Sequence, residues 1–156
     1  MSGDEFKRAH SAALRYLGYR DRSCQEMKAY LTRKEFSPPV IRQVIDRLEE
    51  NGYLDDARFA ERFAAARLEQ RRLGKKRLRH ELLNKGIAGS LADRVLDGLF
   101  EDVEEQALAR ASGLKKMQGW RGLETGKVRR RLARFLQRQG YSSDTVYRTV
   151  EELAPW

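Results

Sequence analysis

The chain has 156 residues, 40% hydrophobic and 35% charged, against roughly 25% charged in a typical globular domain, so a thin or elongated shape is favoured over a sphere. Its 32 Lys and Arg outweigh 23 Asp and Glu for a net charge of +9 and a pI near 9.9, which favours a polyanionic partner: nucleic acid, an anionic membrane or an acidic protein surface. Cys24 stands alone, which excludes an intrachain disulfide, and neither a signal peptide nor a run of about 18 apolar residues is present, so a soluble, cytoplasmic protein is expected.

A first helix is expected over Arg8–Gly18. Ser23-Cys-Gln-Glu26 forms a capping box, whose serine oxygen and glutamate each take up an orphan amide, and it starts a second helix through the segment Met27–Phe36. Ser37-Pro38 supplies an N-cap and a proline at the first helical position, where no amide bond is lost. Ile41, Ile45 and Leu48 then share one face of a third helix. Asp55 and Asp56 sit where negative charge favours a helix start, and Asp56–Glu69 carries Phe59, Ala60, Phe63, Ala64 and Arg67 at helical spacing. The segment Leu78–Ile87 and the trio Ala92, Leu96 and Leu99 continue the pattern. A helix over Glu104–Ser112 precedes Gly113–Gly126, where Gly113, Gly119, Gly122 and Gly126 predict a flexible loop. Leu132–Tyr141 and a last helix carrying Val146, Val150 and Leu153, with Ser143 as its cap, complete the series. No segment alternates with period two, so no sheet is expected.

The series repeats. The segments headed by Met27, Leu78 and Leu132 align, and the same shifts superimpose Ile41, Ile45 and Leu48 on Ala92, Leu96 and Leu99, then on Val146, Val150 and Leu153. Gly86 and Gly140 stand just past a helix end, each followed by an apolar residue able to fold back on the last turn; Glu35 takes that place in the first segment at a small local cost. The pattern predicts an all-α chain of three tandem three-helix repeats, 5–54, 55–102 and 103–156, stacked because each core is small. One compact helical bundle is the alternative.

Enzymatic signatures fail. His10 and His80 lie far apart with no clustered ligands and read as surface residues. Gly122-Leu-Glu-Thr-Gly-Lys127 has the wrong spacing for a phosphate loop, with Val128 where Ser or Thr should hold magnesium. Ser112-Gly-Leu-Lys115 matches a four-residue pattern of penicillin-binding enzymes without its partner motifs. No catalytic residue, metal or cofactor is expected.

Positive charge is concentrated in two runs at matching repeat positions. Arg67, Arg71, Arg72, Lys75, Lys76, Arg77, Arg79 and Lys85 face only Glu69 and Glu81; Arg121, Lys127, Arg129, Arg130, Arg131, Arg134 and Arg138 face only Glu124. Both runs fall on the second helix of a unit and the approach to it, which predicts a basic track for phosphates rather than a merely solvated face. Acidic residues gather at the junctions, Asp46 to Asp56 and Asp97 to Glu105, where Arg58 or Arg62 can meet them. Trp120 and Trp156 are either buried anchors or exposed interface markers.

The segment from Ala12 to Met27, the stretch Gly52-Tyr-Leu-Asp-Asp-Ala-Arg-Phe-Ala60 and Gly74-Lys-Lys-Arg-Leu-Arg-His-Glu-Leu-Leu-Asn-Lys-Gly-Ile87 resemble RecX proteins. The resemblance spans roughly residues 9–154, dense from 12 to 99 and looser beyond. Met27 stands in place of the family's common Leu, and Cys24 in place of a usual acidic residue. It implies a curved array of three-helix repeats, without catalytic residues, that lies in the groove of the RecA–DNA filament. It further implies inhibition of RecA's ATP hydrolysis and strand exchange, restraint of recombination, DNA repair and the SOS response, and direct binding of single- and double-stranded DNA, as a monomer. The basic-face residues Arg67 to Lys85 and Arg129, Arg130, Arg131, Arg134 and Arg138 are the expected contacts. A winged-helix transcription regulator is the alternative, with its recognition region in Leu31–Leu54, but it needs a β-wing where Asp55–Glu69 reads as helix. An RNA- or ribosome-associated helical repeat is a third reading.

Overall fold

The computed structural model describes residues 2–156. Its helices are α1 (Ser2–Leu17), α2 (Cys24–Arg33), α3 (Pro38–Glu50), α4 (Asp56–Arg71), α5 (Lys75–Asn84), α6 (Gly89–Leu99), α7 (Glu105–Met117), α8 (Thr125–Gln139) and α9 (Ser143–Leu153), with a 3₁₀ turn at Gln118–Trp120. No strand occurs among the described residues, so the wing that a winged helix requires is not there.

Local chemistry sets the helix ends. Ser23 and Glu26 form the full capping box at α2, the Glu26 amide donating to Ser23 Oγ at 3.1 Å and the Ser23 amide to Glu26 Oε1 at 3.0 Å. Asp55 accepts the Arg58 amide at the start of α4. Ser142, not Ser143, caps α9, its Oγ taking the Thr145 amide at 3.2 Å. At α3 the Ser37 side chain makes no cap; instead the Ser37 amide donates to Glu5 Oε1 at 2.7 Å, which ties α1 to the head of α3. That amide, with the Ser37 hydroxyl, holds the Glu5 carboxyl below the usual carboxylate range. This link explains why α1 starts well before Arg8: Asp4 and Glu5 favour the positive first turn, and Phe6 packs on the core beneath.

Three separate cores follow the repeat, which overturns the single-bundle alternative. Ala9, Ala13, Met27, Leu31, Val44 and Leu48 centre the first, Ala60, Ala64, Leu73, Leu78, Leu82 and Leu96 the second, and Ala109, Leu132, Leu136, Tyr141, Val146 and Val150 the third. Small residues on the first helix of each unit let the other two approach closely.

The glycine-rich stretch is not a flexible loop. Helix α7 continues through Gly113 to Met117, and Gly126 lies inside α8, so only residues 121–124 lack regular structure. Gly113 is a packing residue: a Cβ there would stand 2.9 Å from Leu153 Cδ1 and 3.2 Å from Leu132 Cδ1. His10 also departs from expectation. His80 is exposed, but His10 is half-buried, stacked on Phe6 at 5.6 Å, and its Nε2 is enclosed without a hydrogen-bond partner.

The units join through their second helices. Between the first two, Ser23 Oγ at the head of α2 donates to the Lys85 carbonyl at the foot of α5 (2.6 Å), flanked by Lys85–Glu26, Arg62–Asp21 and the Cys24 amide on Asp56 Oδ1. Between the second and third, the head of α5 meets the foot of α8: the Gly74 amide donates to the Gln139 carbonyl (2.7 Å) and the Lys76 amide to the Gly140 carbonyl (3.2 Å). Carbonyls that a helix end leaves unpaired are thereby taken up by the amides or hydroxyl of the preceding helix start. Burial beside the Asp56 and Glu49 carboxylates pushes the Cys24 thiol up to about 12.

Candidate nucleic-acid interface

The two basic runs divide by their partners. Arg79 pairs with Asp93 at 2.7 Å and Lys75 with Asp97 at 2.5 Å, both across to α6. The hydrogen bond between Arg79 and Asp93 raises the guanidinium and lowers the carboxyl. Glu81 stands between Arg67 (3.6 Å) and Arg77 (3.7 Å), and Lys85 reaches Glu26 at 3.4 Å. Arg129 is the most enclosed: its side chain is 14% exposed, paired with Glu151, bonded to the Ala154 carbonyl at 2.7 Å and laid over the Trp156 ring at 4.7 Å. These six cations hold helices together and fasten the C-terminal turn.

The other predicted contacts have no such duty. Arg71, Arg72, Lys76, Arg130, Arg131, Arg134 and Arg138 are exposed, and none makes an ion pair among the described residues. The head-to-foot junction of α5 and α8 brings the two runs into one place, since Arg77 Nη1 donates to the Arg138 carbonyl at 3.0 Å and Gln139 Nε2 to the Arg71 carbonyl at 3.2 Å. Arg72 is left-handed (φ 49°), and its carbonyl accepts the Tyr141 hydroxyl, whose other neighbour is Ser112 Oγ. Burial raises that phenol above its ordinary range. A bulky residue with this backbone conformation is held there by its surroundings.

Beside the junction opens a cleft of about 510 Å³, walled by Arg71, Arg72, Lys115, Lys116, Trp120 and Phe135. No carboxylate lines it. Lys115 and Lys116 escaped the sequence reading because their stretch was expected to be loop; as the last turn of α7 they face α8, with Lys116 Nζ 5.3 Å from the Phe135 ring centre. Trp120 is half-buried against the third core, whereas Trp156 is 85% exposed. A second basic cleft lies between α1 and α2 and includes Lys7, Arg8, Arg15 and Lys34, scattered too widely along the sequence to register as a run. The Arg58 and Arg62 side chains do not pair with the acidic groups at the junctions: the Arg58 guanidinium bonds the Gly52 carbonyl and Arg62 pairs with Asp21.

Among the described residues no group of His, Cys, Asp and Glu is arranged to hold a metal ion, and no helix is long and apolar enough to cross a membrane.

Three family descriptions match the chain in order: the first RecX three-helix domain over residues 9–48, the second over 55–96 and the third over 103–150. Regulatory protein RecX of Chlorobium phaeobacteroides is 32% identical over 98% of both chains. Regulatory protein RecX of Bacillus subtilis is 34% identical over 97% of this chain, which spans 57% of that longer protein. The crystal structure of RecX from Lactobacillus salivarius superimposes with a TM-score of 0.85 at 22% identity, covering 97% of each chain, a likeness of fold.

Proposed function

Because the chain belongs to the RecX family of regulatory proteins, we propose that it binds the RecA nucleoprotein filament, and DNA itself, and restrains RecA's ATP hydrolysis and strand exchange. In this reading it modulates recombination, DNA repair and the SOS response in the cytoplasm as a monomer. It acts by occupancy: the array lies along the filament and obstructs the second DNA strand and the exchange of protomers, with no bond made or broken. The observation that carries the reading is the gathering of Arg71, Arg72, Lys76 and Arg138 at one junction, exposed and without acidic partners. A cation paired within the protein must give up that partner to bind a phosphate, whereas an unpaired one gains a charge-assisted hydrogen bond outright.

The test is RecA's DNA-dependent ATPase with purified protein added at substoichiometric amounts. Loss of ATPase activity out of proportion to the amount added supports filament occupancy. Undiminished ATPase at low salt, even with protein in excess, would sink it.

A further inference from the structure

Each unit has a groove between its first and second helices, and the repeat places Tyr30, Glu81 and Phe135 at the same position in its wall. The three grooves are not alike. In the first unit a cleft of about 430 Å³ is lined by Lys7, Arg8 and Arg15 from α1, by Tyr30 from α2 and by Lys34 just past its end, with no carboxylate. None of those cations makes an ion pair among the described residues. The aromatic wall is a ladder: Arg22 lies 3.7 Å over the Tyr16 ring, Tyr16 stacks on Tyr30 at 3.9 Å, and Lys34 Nζ hangs 5.7 Å from the Tyr30 centre. The third unit has a related cleft, with Phe135 as the ring, Lys116 of α7 over it at 5.3 Å, and Lys115 with Arg71 and Arg72 from the end of α4 on the rim.

The middle unit is built differently at this position. Glu81 replaces the ring and draws in Arg67 and Arg77, while Lys85, at the position of Lys34, turns to Glu26 and lies 5.8 Å from the Phe63 ring. Its cations are matched from within.

An aromatic face covered by a lysine ammonium, inside a ring of unpaired cations, suits a ligand that has both a flat apolar surface and closely spaced negative charges. Cations neutralise phosphates, and a base can stack on the ring in place of the ammonium. An acidic peptide would leave the rings unused, and a duplex keeps its base faces stacked inside. We propose that the outer grooves, at Tyr30 and Phe135, are two seats for single-stranded nucleic acid, and that one strand bridges them across the middle unit. The proposal rests on the nucleic-acid part of the proposed function and does not require RecA.

Two linked seats make a quantitative demand: a strand long enough to occupy both binds more tightly than one that fills a single groove. Fluorescence anisotropy with labelled oligothymidylates of roughly 8 and roughly 40 nucleotides, and with a duplex of the longer length, tests it on the full chain. Two variants, Lys7→Glu with Lys34→Glu and Lys115→Glu with Lys116→Glu, change exposed side chains, and circular dichroism checks that the helices remain. The expected result is that either variant binds the long strand no more tightly than the native protein binds the short one. Its salt slope should also shallow by about 1.4, roughly 0.7 for each lost single-strand phosphate contact, with duplex binding changed far less. Folded variants that bind the long strand like the native protein overturn the groove assignment, and an equal loss on duplex overturns the single-strand assignment. A native protein that binds no oligonucleotide overturns the nucleic-acid reading as a whole, so the two failures are distinguishable.

Discussion

The Gly74 amide points at the Gln139 carbonyl, 2.7 Å away, and a Cβ on Gly74 would lie 2.4 Å from both the carbonyl carbon and oxygen of Gly140. Backbone meets backbone at this junction, with no side chain between. The equivalent position one unit earlier is Ser23, whose hydroxyl bonds the Lys85 carbonyl. The second helices therefore form a column, foot of α8 on head of α5 and foot of α5 on head of α2, in which partial negative charge meets partial positive.

Gly74→Ala should destabilise the protein by about 1–3 kcal/mol, because overpacking against a rigid backbone leaves nothing to yield. Gly98→Ala is the control: no atom lies within 4 Å of its Cβ, so replacing a helical glycine should stabilise by about 0.5–1 kcal/mol. Urea unfolding of the two variants checks the pair, and opposite signs are expected.

Glu35 adopts φ 67°, a conformation that Gly86 and Gly140 supply freely at the equivalent positions. Glu35→Gly should raise stability by about 1 kcal/mol through relief of left-handed strain. A lowered melting temperature would show that the Glu35 side chain contributes more than its backbone costs.

Glu26 joins the capping box to Arg20 (2.6 Å) and Lys85 (3.4 Å). Burial pushes its carboxyl up, but the Arg20 hydrogen bond, the Ser23 amide and the Lys85 charge outweigh that and leave it below the ordinary value of 4.5. The unfolded chain then takes up this proton first, so the stabilisation is present at neutral pH and is lost as acidity passes through the lowered folded value. Stability measured from neutral pH down to pH ~3 should fall less steeply in Glu26→Gln than in the native protein.

With its thiol pushed up to about 12, Cys24 should react with a disulfide reagent at pH ~8 at least about a hundredfold slower when folded than when unfolded, since only the thiolate attacks. Asp56→Asn removes one of the negative charges responsible and should speed the folded-state reaction.

If the proposed function holds, reversing Arg71, Arg72, Lys76 and Arg138 together should relieve inhibition of RecA while thermal stability is retained, because these side chains hold no acidic partner among the described residues. Arg129→Ala should do the reverse, costing about 1 kcal/mol of stability through the lost hydrogen bond to the Ala154 carbonyl and the lost contact with Trp156. ATPase assays and melting curves on the same two preparations separate the groups.

Much of the architecture was legible from Met27 to Leu153. Apolar trios, a capping box and two glycines recur at matched positions, and each recurrence has a local cause that needs no knowledge of the rest of the chain. The interface was legible only as a list of cations. Which of them are free depends on residues distant in sequence: Asp93 absorbs Arg79, and Glu151 with the Ala154 carbonyl absorbs Arg129. Lys115 and Lys116 were hidden by Gly113, whose lack of a side chain reads as flexibility but serves close helix packing against Leu132 and Leu153. The first-unit cleft escaped for another reason: Lys7, Arg8, Arg15 and Lys34 become neighbours only when α1 and α2 pair.

The column of second helices also gives its glycines a purpose. At Gly86 and Gly140 the absent Cβ is the vacancy that admits the next helix start, since a methyl there would collide with Gln25 or with the Arg77 backbone. At the foot of α2 that vacancy is filled by Glu35, so an incoming helix, from a further repeat or from another molecule, would meet a carboxylate where its predecessors met nothing. The foot of α2 therefore differs from the feet of α5 and α8 in carrying a side chain, on a left-handed backbone, where the other two carry none.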